Sequence, residues 1–228
     1  MRQVKFTFTI LMAATALPGA VDRQKTEERL KDATSLFQEI MTAPDRALPQ
    51  DLLNRASCVV LLPGLKKGAL IGGGKYGKGF VECRAPEIGW GPPAAVRVEG
   101  GSFGFQVGFS SSDVVLLIMN DRGMDKLMRS KFTVGGDATA ALGPVGRNAT
   151  AQTDGWMTAE ILSYSRSHGV FAGVSLDGST LRTDIDGNEA LYGKRWTTRD
   201  VLRGGAKAPQ AAAALIDALT KYSMRKTN

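Results

Sequence analysis

The chain is poor in the residues on which most metal sites and nucleophilic sites depend. Its 228 residues include one His and two Cys, and the two Cys lie far apart in the sequence. Structural zinc sites need four Cys or His ligands, and thioredoxin-like redox motifs need a Cys-x-x-Cys spacing. The sequence therefore predicts no metal and no cofactor, and it favours a protein that is not an enzyme.

Apolar runs long enough to cross a bilayer are also missing. The N-terminal run Phe6–Leu17 is shorter than the roughly 20 residues that a membrane-spanning helix needs. Arg2 and Lys5 precede it, and small residues within 14–20 offer cleavage sites. This pattern predicts a signal peptide over residues 1–20 and an exported chain, periplasmic or secreted and peripheral to a membrane. An N-terminal strand or core helix is the alternative.

Charge of one sign is only mildly in excess. The chain has 29 basic and 22 acidic residues, a net charge of +7. Residues 1–20 hold two basic and no acidic residues, so the remainder keeps +5. Such an excess permits attraction to an anionic membrane and does not require it. We expect no nucleic-acid partner.

Glycine is the residue in greatest excess, with 27 copies, of which thirteen lie between Gly64 and Gly108. Within this segment, residues 72–78 match parts of two nucleotide-binding motifs. Both motifs require a helix immediately afterwards, whose N-terminus holds the phosphate. The sequence Phe80–Arg84 that follows is typical of a strand, so we reject both motifs. A β-hairpin with a glycine-rich turn is predicted instead.

The same hairpin carries five basic residues between positions 63 and 84, against the single acid Glu82. They are Lys66, Lys67, Lys75, Lys78 and Arg84. Lysine can bind a phosphate as a point charge, and glycine lets a backbone approach one closely. These residues are our candidates for lipid head-group binding. The alternative is that they solvate a turn or protect a strand edge.

The first element after the signal-like segment is an amphipathic helix over residues 22–41. Its apolar residues recur at helical spacing. Its first half is crowded with charges, including Arg23, Lys25, Arg29 and Lys31. A membrane-surface helix is one interpretation. Because the polar face mixes charges of both signs, a surface helix packed on the core is the favoured one.

The rest of the chain alternates strand-like and helix-like segments without a long linker. The predicted elements are a short helix after Pro49, strands over 57–62, 94–98, 102–109, 113–119 and 132–142, a helix after Asn120, strands over 163–168 and 170–176, hairpin turns at Asp177-Gly178 and Asp186-Gly187, a helix capped by Thr197, and a last helix from Pro209. Together they predict an α+β fold: one domain, with a mainly antiparallel β-sheet or barrel-like centre flanked by N- and C-terminal helices.

Two chemical questions stay open at this level. Cys58 and Cys83 could form a disulfide in an oxidising compartment or act as small buried apolar residues. His168, the only His, could serve a hydrolase together with Ser165 or Ser167. No acid partner is evident near His168, so a strand side chain is the favoured interpretation and a hydrolase the least favoured function.

Several blocks in fixed order resemble one known family over residues 22–194, with residues 195–228 as a helical extension. The blocks are Ala56–Pro63, Lys67–Ala69 with the glycines after it, Gly89–Pro93, Gly104–Gly108, Gly143–Arg147, Tyr164–Gly169 with Phe171–Ser175, and Tyr192-Gly193. The chain resembles the SYLF family, also called the lipid-binding or actin-binding SYLF domain, and within it a bacterial exported member.

The resemblance implies a function that the residues alone do not show. Eukaryotic members bind phosphoinositides at membranes, and some bind actin. Membrane binding in the family involves the N-terminal amphipathic region and basic residues, and no catalytic residues are implied. The expected partners are therefore anionic phospholipids, with another envelope protein, or actin by family analogy, as the alternative. The motif residues expected to be structural are Trp90, Gly143, Pro144, Gly146, Arg147, Tyr164, Arg166 and Gly169.

Overall fold

The computed structural model describes most of the chain after residue 17. The described residues are 18–43, 48–69, 73–85, 89–102, 108–129, 131–144, 159–167, 170–173, 176 and 178–223. The helices in them are α1 (Pro18–Thr42), α2 (Gln50–Arg55), α3 (Asp121–Leu127), α4 (Ile185–Tyr192), α5 (Thr198–Arg203) and α6 (Ala213–Tyr222). The strands are β1 (Cys58–Ala69), β2 (Gly73–Ala85), β3 (Gly89–Trp90), β4 (Ala94–Ser102), β5 (Gly108–Ile118), β6 (Lys131–Thr133), β7 (Ala140–Leu142), β8 (Ile161–Ser167), β9 (Val170–Gly173) and β10 (Thr180–Thr183). The predicted signal peptide falls almost wholly outside the described residues.

The strands form one curled sheet in the order β6-β10-β4-β2-β1-β5-β8-β7, with β3 added to β2 and β9 added to β8. The β7–β8 pair is parallel, and the other pairs are antiparallel. The β1–β2 register shifts between Leu61 and Lys66, where Gly64 has a φ of 64°. Such a bulge bends a strand and increases its twist. The result is a half-barrel, which confirms the predicted α+β class and barrel-like centre.

Both faces of the sheet are apolar over part of their area, and different helices cover them. On one face Phe80 and Val115 pack with Phe37 of α1 and Leu215 of α6. We call this the α1 face. On the other face Val81 and Val114 pack with Met124 of α3 and Val201 of α5, and we call it the α3 face. Burial on both sides explains the continuous apolar sequence of residues 114–118 in β5.

Helix α1 lies on the sheet with its apolar stripe buried. Leu30, Ala33, Phe37 and Ile40 have no exposed surface. Their spacing of three and four residues places them on one side of the helix. The packed surface helix that the sequence favoured is thus confirmed. Within the described residues, no helix is long and apolar enough to cross a membrane.

Several local predictions are confirmed by their capping groups. The Asn120 side chain accepts a hydrogen bond from the Gly123 N–H at the start of α3. Thr197 and Asp200 form a capping box at the start of α5. The predicted helix after Pro49 is α2, and the last helix follows Pro209 through one 3-10 turn. Side-chain oxygens satisfy backbone N–H groups that a helix leaves free in its first turn.

Several local predictions are wrong. The strands predicted over 57–62 and 113–119 extend further, as β1 and β5, because residues 65–69 pair with residues 108–112. The pair Asp186-Gly187 is not a hairpin turn but lies in the first turn of α4, where tertiary contacts outweigh the turn preference. A Cβ atom on Gly187 would lie 2.7 Å from the Cβ of Ala95, so glycine lets α4 approach β4 closely. The strand predicted over 132–142 is divided into β6 and β7 by a turn. In that turn the Asp137 carboxylate accepts a hydrogen bond from the Thr133 N–H at 2.7 Å.

Candidate functional site

Four basic residues stand in one row across four neighbouring strands. Lys78 of β2 lies opposite Arg97 of β4, Arg97 lies opposite Arg182 of β10, and Arg182 lies opposite Lys131 of β6. Residues directly opposite each other in a sheet present their side chains on the same face. Neighbouring strands are about 4.8 Å apart, so this row spans about 14 Å. We call these four residues the basic row.

The basic row lies on the α1 face, just beyond the part that the helices cover. Phe80 and Ala95, two residues along β2 and β4, belong to the core that contains α1. Because side chains alternate between faces, Lys78 and Arg97 share that face. Helix α4 begins next to Lys78, whose ammonium group contacts Asp184. The same strands thus provide core under the helices and an open basic surface beside them.

A second row continues this surface toward the β1–β2 hairpin. Lys66 lies opposite Tyr76, which lies opposite Glu99, which lies opposite Thr180. Lys66 is exposed. Tyr76 has 48% of its surface exposed and is one of two large apolar side chains that are exposed among the described residues. An aromatic ring with a polar tip therefore lies beside the basic row.

Two carboxylates partly balance the positive charge. The Glu99 carboxylate forms ion pairs with the Nε atoms of Arg97 at 2.7 Å and of Arg182 at 3.2 Å. Asp184, with 1% of its side chain exposed, pairs with the Nζ atom of Lys78 at 2.9 Å. The basic row and Lys66 carry five positive charges against these two negative charges, which leaves +3. We call the basic row with Lys66, Tyr76, Glu99 and Asp184 the basic face.

The structure divides the lysine cluster that the sequence predicted. Lys66 and Lys78 belong to the basic face. Lys67 and Lys75 lie opposite each other on the α3 face. They are therefore separated from the basic row by the thickness of the sheet.

Arg84 lies farther along β2, on the α1 face but away from the basic row. Its guanidinium stacks on the Trp90 ring, 4.4 Å from the ring centre. The same group donates hydrogen bonds to the carbonyl oxygens of Leu53, Ala56 and Ser223 at 3.1–3.3 Å. Arg84 therefore links α2, β3 and the end of α6.

Sequence reasoning missed three members of the basic row. Arg97, Lys131 and Arg182 are spread over 85 positions, and none lies in a run of basic residues. The pairing of β10 with both β4 and β6 brings them together. Alternation of polar and apolar residues marks each strand in the sequence, but it does not show which strands are neighbours.

The predicted membrane-surface residues of α1 form a second charged surface. Arg23, Lys25 and Lys31 are exposed, and Arg29 is half-buried. A cleft of about 530 Å³ lies between part of this helix and the sheet, beside the buried apolar stripe. Its charged lining residues are Lys25, Arg29 and Arg166 together with Glu28, Asp32, Glu39 and Asp113. Acids outnumber bases in this cleft and the apolar stripe of α1 is buried, so the cleft carries less positive charge than the basic face.

The family motif residues in the described part of the chain serve the fold. A Cβ atom on Gly143 would lie 2.1 Å from the Cζ atom of Tyr164, so the backbone packs directly on that ring. Burial raises the pKa of the Tyr164 phenol. Arg166 forms ion pairs with Glu39 of α1 and with Asp113 of β5. Pro144 is buried next to Gly143.

Two further predicted features concern Trp90 and the cysteines. The indole N–H of Trp90 donates a hydrogen bond to the Ser223 hydroxyl at 2.7 Å. Cys58 and Cys83 lie opposite each other on β1 and β2 and form a disulfide, with their Cα atoms 4.0 Å apart. Of the two alternatives for the cysteines, the structure therefore has the disulfide. Gly146, Arg147, His168 and Gly169 lie outside the described residues.

One buried acid stands apart from all these surfaces. Glu82 has 2% of its surface exposed, and neither of its carboxylate oxygens has a hydrogen-bond partner among the described residues. Burial raises the pKa of Glu82 well above its usual value. Tyr192 lies close enough that the charge of Glu82 adds to burial in raising the pKa of the Tyr192 phenol. No cluster of three or more His, Cys, Asp or Glu that could hold a metal ion occurs in the described residues.

A family model and individual relatives that match this chain indicate the same family. Residues 99–222 match the family model described as Ysc84: Las17-binding protein actin regulator. The human SH3 domain-containing YSC84-like protein 1 is 29% identical over 208 residues, which are 91% of this chain and 60% of that protein. Protein YSC84 of Saccharomyces cerevisiae is 31% identical over 188 residues, 80% of this chain and 40% of that protein.

A third relative extends the similarity. An SH3 domain-containing protein of Schizosaccharomyces pombe is 36% identical over 172 residues, 74% of this chain and 40% of that protein. The chain thus spans 40–60% of the length of these relatives. The family match covers more than half of the chain and begins within β4, whose partners β2 and β10 lie on either side of it in the sheet. The chain therefore belongs to the Ysc84 family, the SYLF family that its motifs resemble, and it is a binding module of that family.

Proposed function

We propose that this chain is an exported module that binds anionic phospholipid head groups at a membrane surface through its basic face. The observation that carries the proposal is the basic row, in which Lys78, Arg97, Arg182 and Lys131 follow one another across four strands. A rigid sheet holds these cations in fixed positions. Little side-chain order is then lost when phosphates bind.

The charge of the basic face suits a weak, salt-sensitive attachment. One Lys or Arg near an anionic bilayer contributes about 1 kcal/mol. A net charge of +3 therefore corresponds to about 3 kcal/mol, or a partition factor of about 150. Screening by salt weakens such exposed interactions within a Debye length of about 10 Å at 0.1 M.

Apolar contacts can add to this attraction. Tyr76 is exposed beside Lys66, and aromatic rings with a polar tip favour the membrane–water interface. We propose that Tyr76 makes the shallow contact that accompanies head-group binding.

Export is part of the proposal and has two supports. The disulfide between Cys58 and Cys83 is of a kind that persists in oxidising compartments. The first twenty residues have the charge and apolar pattern of a signal peptide. Expression of the whole sequence in a bacterial host, followed by fractionation and mass measurement, tests this part. We expect a periplasmic product that lacks about twenty N-terminal residues; an intact cytoplasmic product would contradict it.

Lipid binding is tested by co-sedimentation of the chain from Val21 with vesicles. Zwitterionic vesicles are compared with vesicles rich in phosphatidylglycerol or cardiolipin, each at about 0.05 M and about 0.5 M salt. We expect more of the chain to sediment with anionic than with zwitterionic vesicles, and we expect this difference to disappear at high salt. Equal sedimentation with both lipids, or none with either, would contradict the proposal.

A second candidate function is binding of an acidic protein surface. The observation that favours it is the description of the matching family model as Las17-binding and actin-regulating. Sedimentation with actin filaments in the absence of lipid tests this candidate. Binding to filaments, with no binding to anionic vesicles, would place a protein partner first.

A further inference from the structure

A groove opens between α3 and α5, at the end of β2 remote from the basic row. Its wider part, of about 500 Å³, is lined by Ser57, Arg84, Asp121, Asp125 and Arg203 among others. Its narrower part, of about 260 Å³, is lined by Cys83, Pro92, Val201, Leu202 and Ala206 among others. Arg84, Ala85 and Arg203 line both parts, so the wider and the narrower part adjoin at these residues. We call this space the α3–α5 groove.

Charges of opposite sign lie on the two sides of the wider part without meeting. Arg203, at the end of α5, contacts the Met124 sulfur atom at 3.7 Å and pairs with no carboxylate among the described residues. Asp121 and Asp125 lie one turn apart on α3, and neither forms an ion pair within the described part of the chain. The groove therefore presents the Arg203 cation and two anions to whatever enters between them, beside the Arg84 guanidinium, which already donates to three carbonyl oxygens.

The narrower part is mainly apolar. Val201 and Pro92 are buried, and Leu202 and Ala206 are half-buried. Gly205, with a φ of 72°, turns the chain after α5 and places Ala206 on the same wall as Leu202. An apolar space that opens directly from a charged one suits a molecule with an apolar chain attached to a charged head.

We propose that the α3–α5 groove binds one molecule of a zwitterionic phospholipid, of the class with a phosphate and an ammonium group in its head. The phosphate lies toward Arg203, and the ammonium group lies toward Asp121 and Asp125. The first part of one acyl chain contacts Leu202 and Ala206. The narrow part is smaller than the 300 Å³ or more of common ligand pockets, so the rest of the lipid stays outside it.

Charge complementarity decides between this ligand and simpler ones. A fatty acid or an anionic lysolipid would place its negative charge near Arg203, but it would leave both aspartates without a counter-ion. Free phosphoethanolamine would satisfy the charges and leave the apolar space unused. Only a molecule with all three parts uses the whole groove.

The proposal is tested by calorimetric titration with lysophosphatidylethanolamine below its micelle concentration. Lysophosphatidylglycerol, which lacks the ammonium group, and free phosphoethanolamine, which lacks the chain, are the comparison ligands. We expect the first ligand to bind about tenfold more tightly than either of the others, the effect of one charged hydrogen bond. Equal affinities, or no binding of the first ligand, would overturn the proposal.

Three variants locate the binding within the groove. Arg203→Glu and Asp125→Lys reverse the charge on either side, and Ala206→Trp fills the apolar part. Each should weaken binding of lysophosphatidylethanolamine about tenfold. Arg199→Glu, on the same helix but outside the groove, is the matched control and should leave the affinity within about twofold.

Two controls distinguish a loss of groove binding from a loss of folding and from a loss of membrane attachment. The unfolding temperature of each variant is measured, and only folded variants are compared. Wild-type affinity in folded Arg203→Glu and Ala206→Trp would overturn the proposal that the groove binds this lipid. Because the groove and the basic face lie at opposite ends of β2, Ala206→Trp should sediment with anionic vesicles as the wild type does.

Discussion

Arg97 and Arg182 lie directly opposite each other on β4 and β10, and the carboxylate of Glu99 forms an ion pair with both. Like charges placed opposite each other in a sheet destabilise it. One shared carboxylate lowers that cost but does not cancel two positive charges. Arg97 and Arg182 therefore maintain a positive electrostatic potential on the part of the α1 face that the helices leave open. Such a potential attracts an anionic surface.

Removal of this shared carboxylate should strengthen membrane binding. Glu99→Gln keeps the size of the side chain and raises the net charge of the basic face by one. We expect affinity for anionic vesicles to increase about fivefold, from about 1 kcal/mol per charge. The unfolding temperature should fall slightly because the two guanidinium groups then repel each other. Unchanged or weaker binding in Glu99→Gln would show that the basic face does not contact the membrane.

The ion pair between Lys78 and Asp184 should hold α4 against β2. Asp184 is buried, so Lys78→Met would leave a carboxylate without its counter-ion in the protein interior. We expect a loss of about 2–3 kcal/mol in the free energy of unfolding, measured by urea denaturation, since Lys78 itself is partly exposed. Lys78→Met with Asp184→Asn should recover most of the loss. Lys66→Met is the control and should change stability by less than about 0.5 kcal/mol.

Stability should depend on the protonation of Glu82. Because burial raises the pKa of Glu82 in the folded protein, the fold favours the neutral carboxyl group. This contribution is fully present below the unfolded pKa of about 4.3 and is lost as pH rises toward the folded pKa. The side chain in Glu82→Gln cannot ionise, so this variant does not lose that stability as pH rises. The variant should match the wild type near pH 4 and exceed it by about 1–3 kcal/mol at pH 7.

The measurement for Glu82 is the difference in unfolding free energy between variant and wild type from pH 4 to pH 8. Taking the difference removes the titration of the other groups. Glu28→Gln, on the exposed side of α1, serves as the control. A flat difference for Glu82→Gln would mean that this carboxyl group is not buried in solution.

The disulfide should stabilise the hairpin that carries part of the basic face. Cys58 and Cys83 are 25 positions apart, and a cross-link of that length contributes about 3.5 kcal/mol by the loop-entropy relation. We expect Cys58→Ala with Cys83→Ala to lose about that amount in chemical denaturation. A reducing agent should destabilise the wild type and leave the double variant unchanged. Equal sensitivity of both proteins to the reducing agent would show that the disulfide is not formed.

The fold could be predicted from the sequence largely because its elements are locally encoded. The apolar spacing of α1, the caps at Asn120 and Thr197, and the glycine-rich hairpin each reflect contacts within a few residues. The division of the lysines also follows from strand alternation, since Lys66 and Lys67 are adjacent and must point to opposite faces. Applying that period to the hairpin would have divided the predicted cluster without a structure.

The basic face itself could not be predicted, because it depends on long-range pairing. β10 lies between β4 and β6, although β4 precedes it by some eighty residues. No local sequence pattern specifies that β10 pairs with both β4 and β6. The same holds for Asp186-Gly187, where packing of Gly187 on Ala95 makes a helix from a pair of residues that usually form a turn. In both cases contacts distant in sequence decide the outcome.

We propose that the basic face, and not α1, meets an anionic membrane. The most direct measurement is co-sedimentation of three double variants of equal charge change with phosphatidylglycerol-rich vesicles at low salt. They are Lys66→Glu with Lys131→Glu on the basic face, Lys25→Glu with Lys31→Glu on α1, and Arg199→Glu with Lys207→Glu elsewhere. We predict that Lys66→Glu with Lys131→Glu abolishes sedimentation. The other two pairs should reduce sedimentation by no more than about threefold, as a general loss of positive charge does. Loss of binding in the α1 pair, with the basic-face pair unaffected, would contradict this prediction.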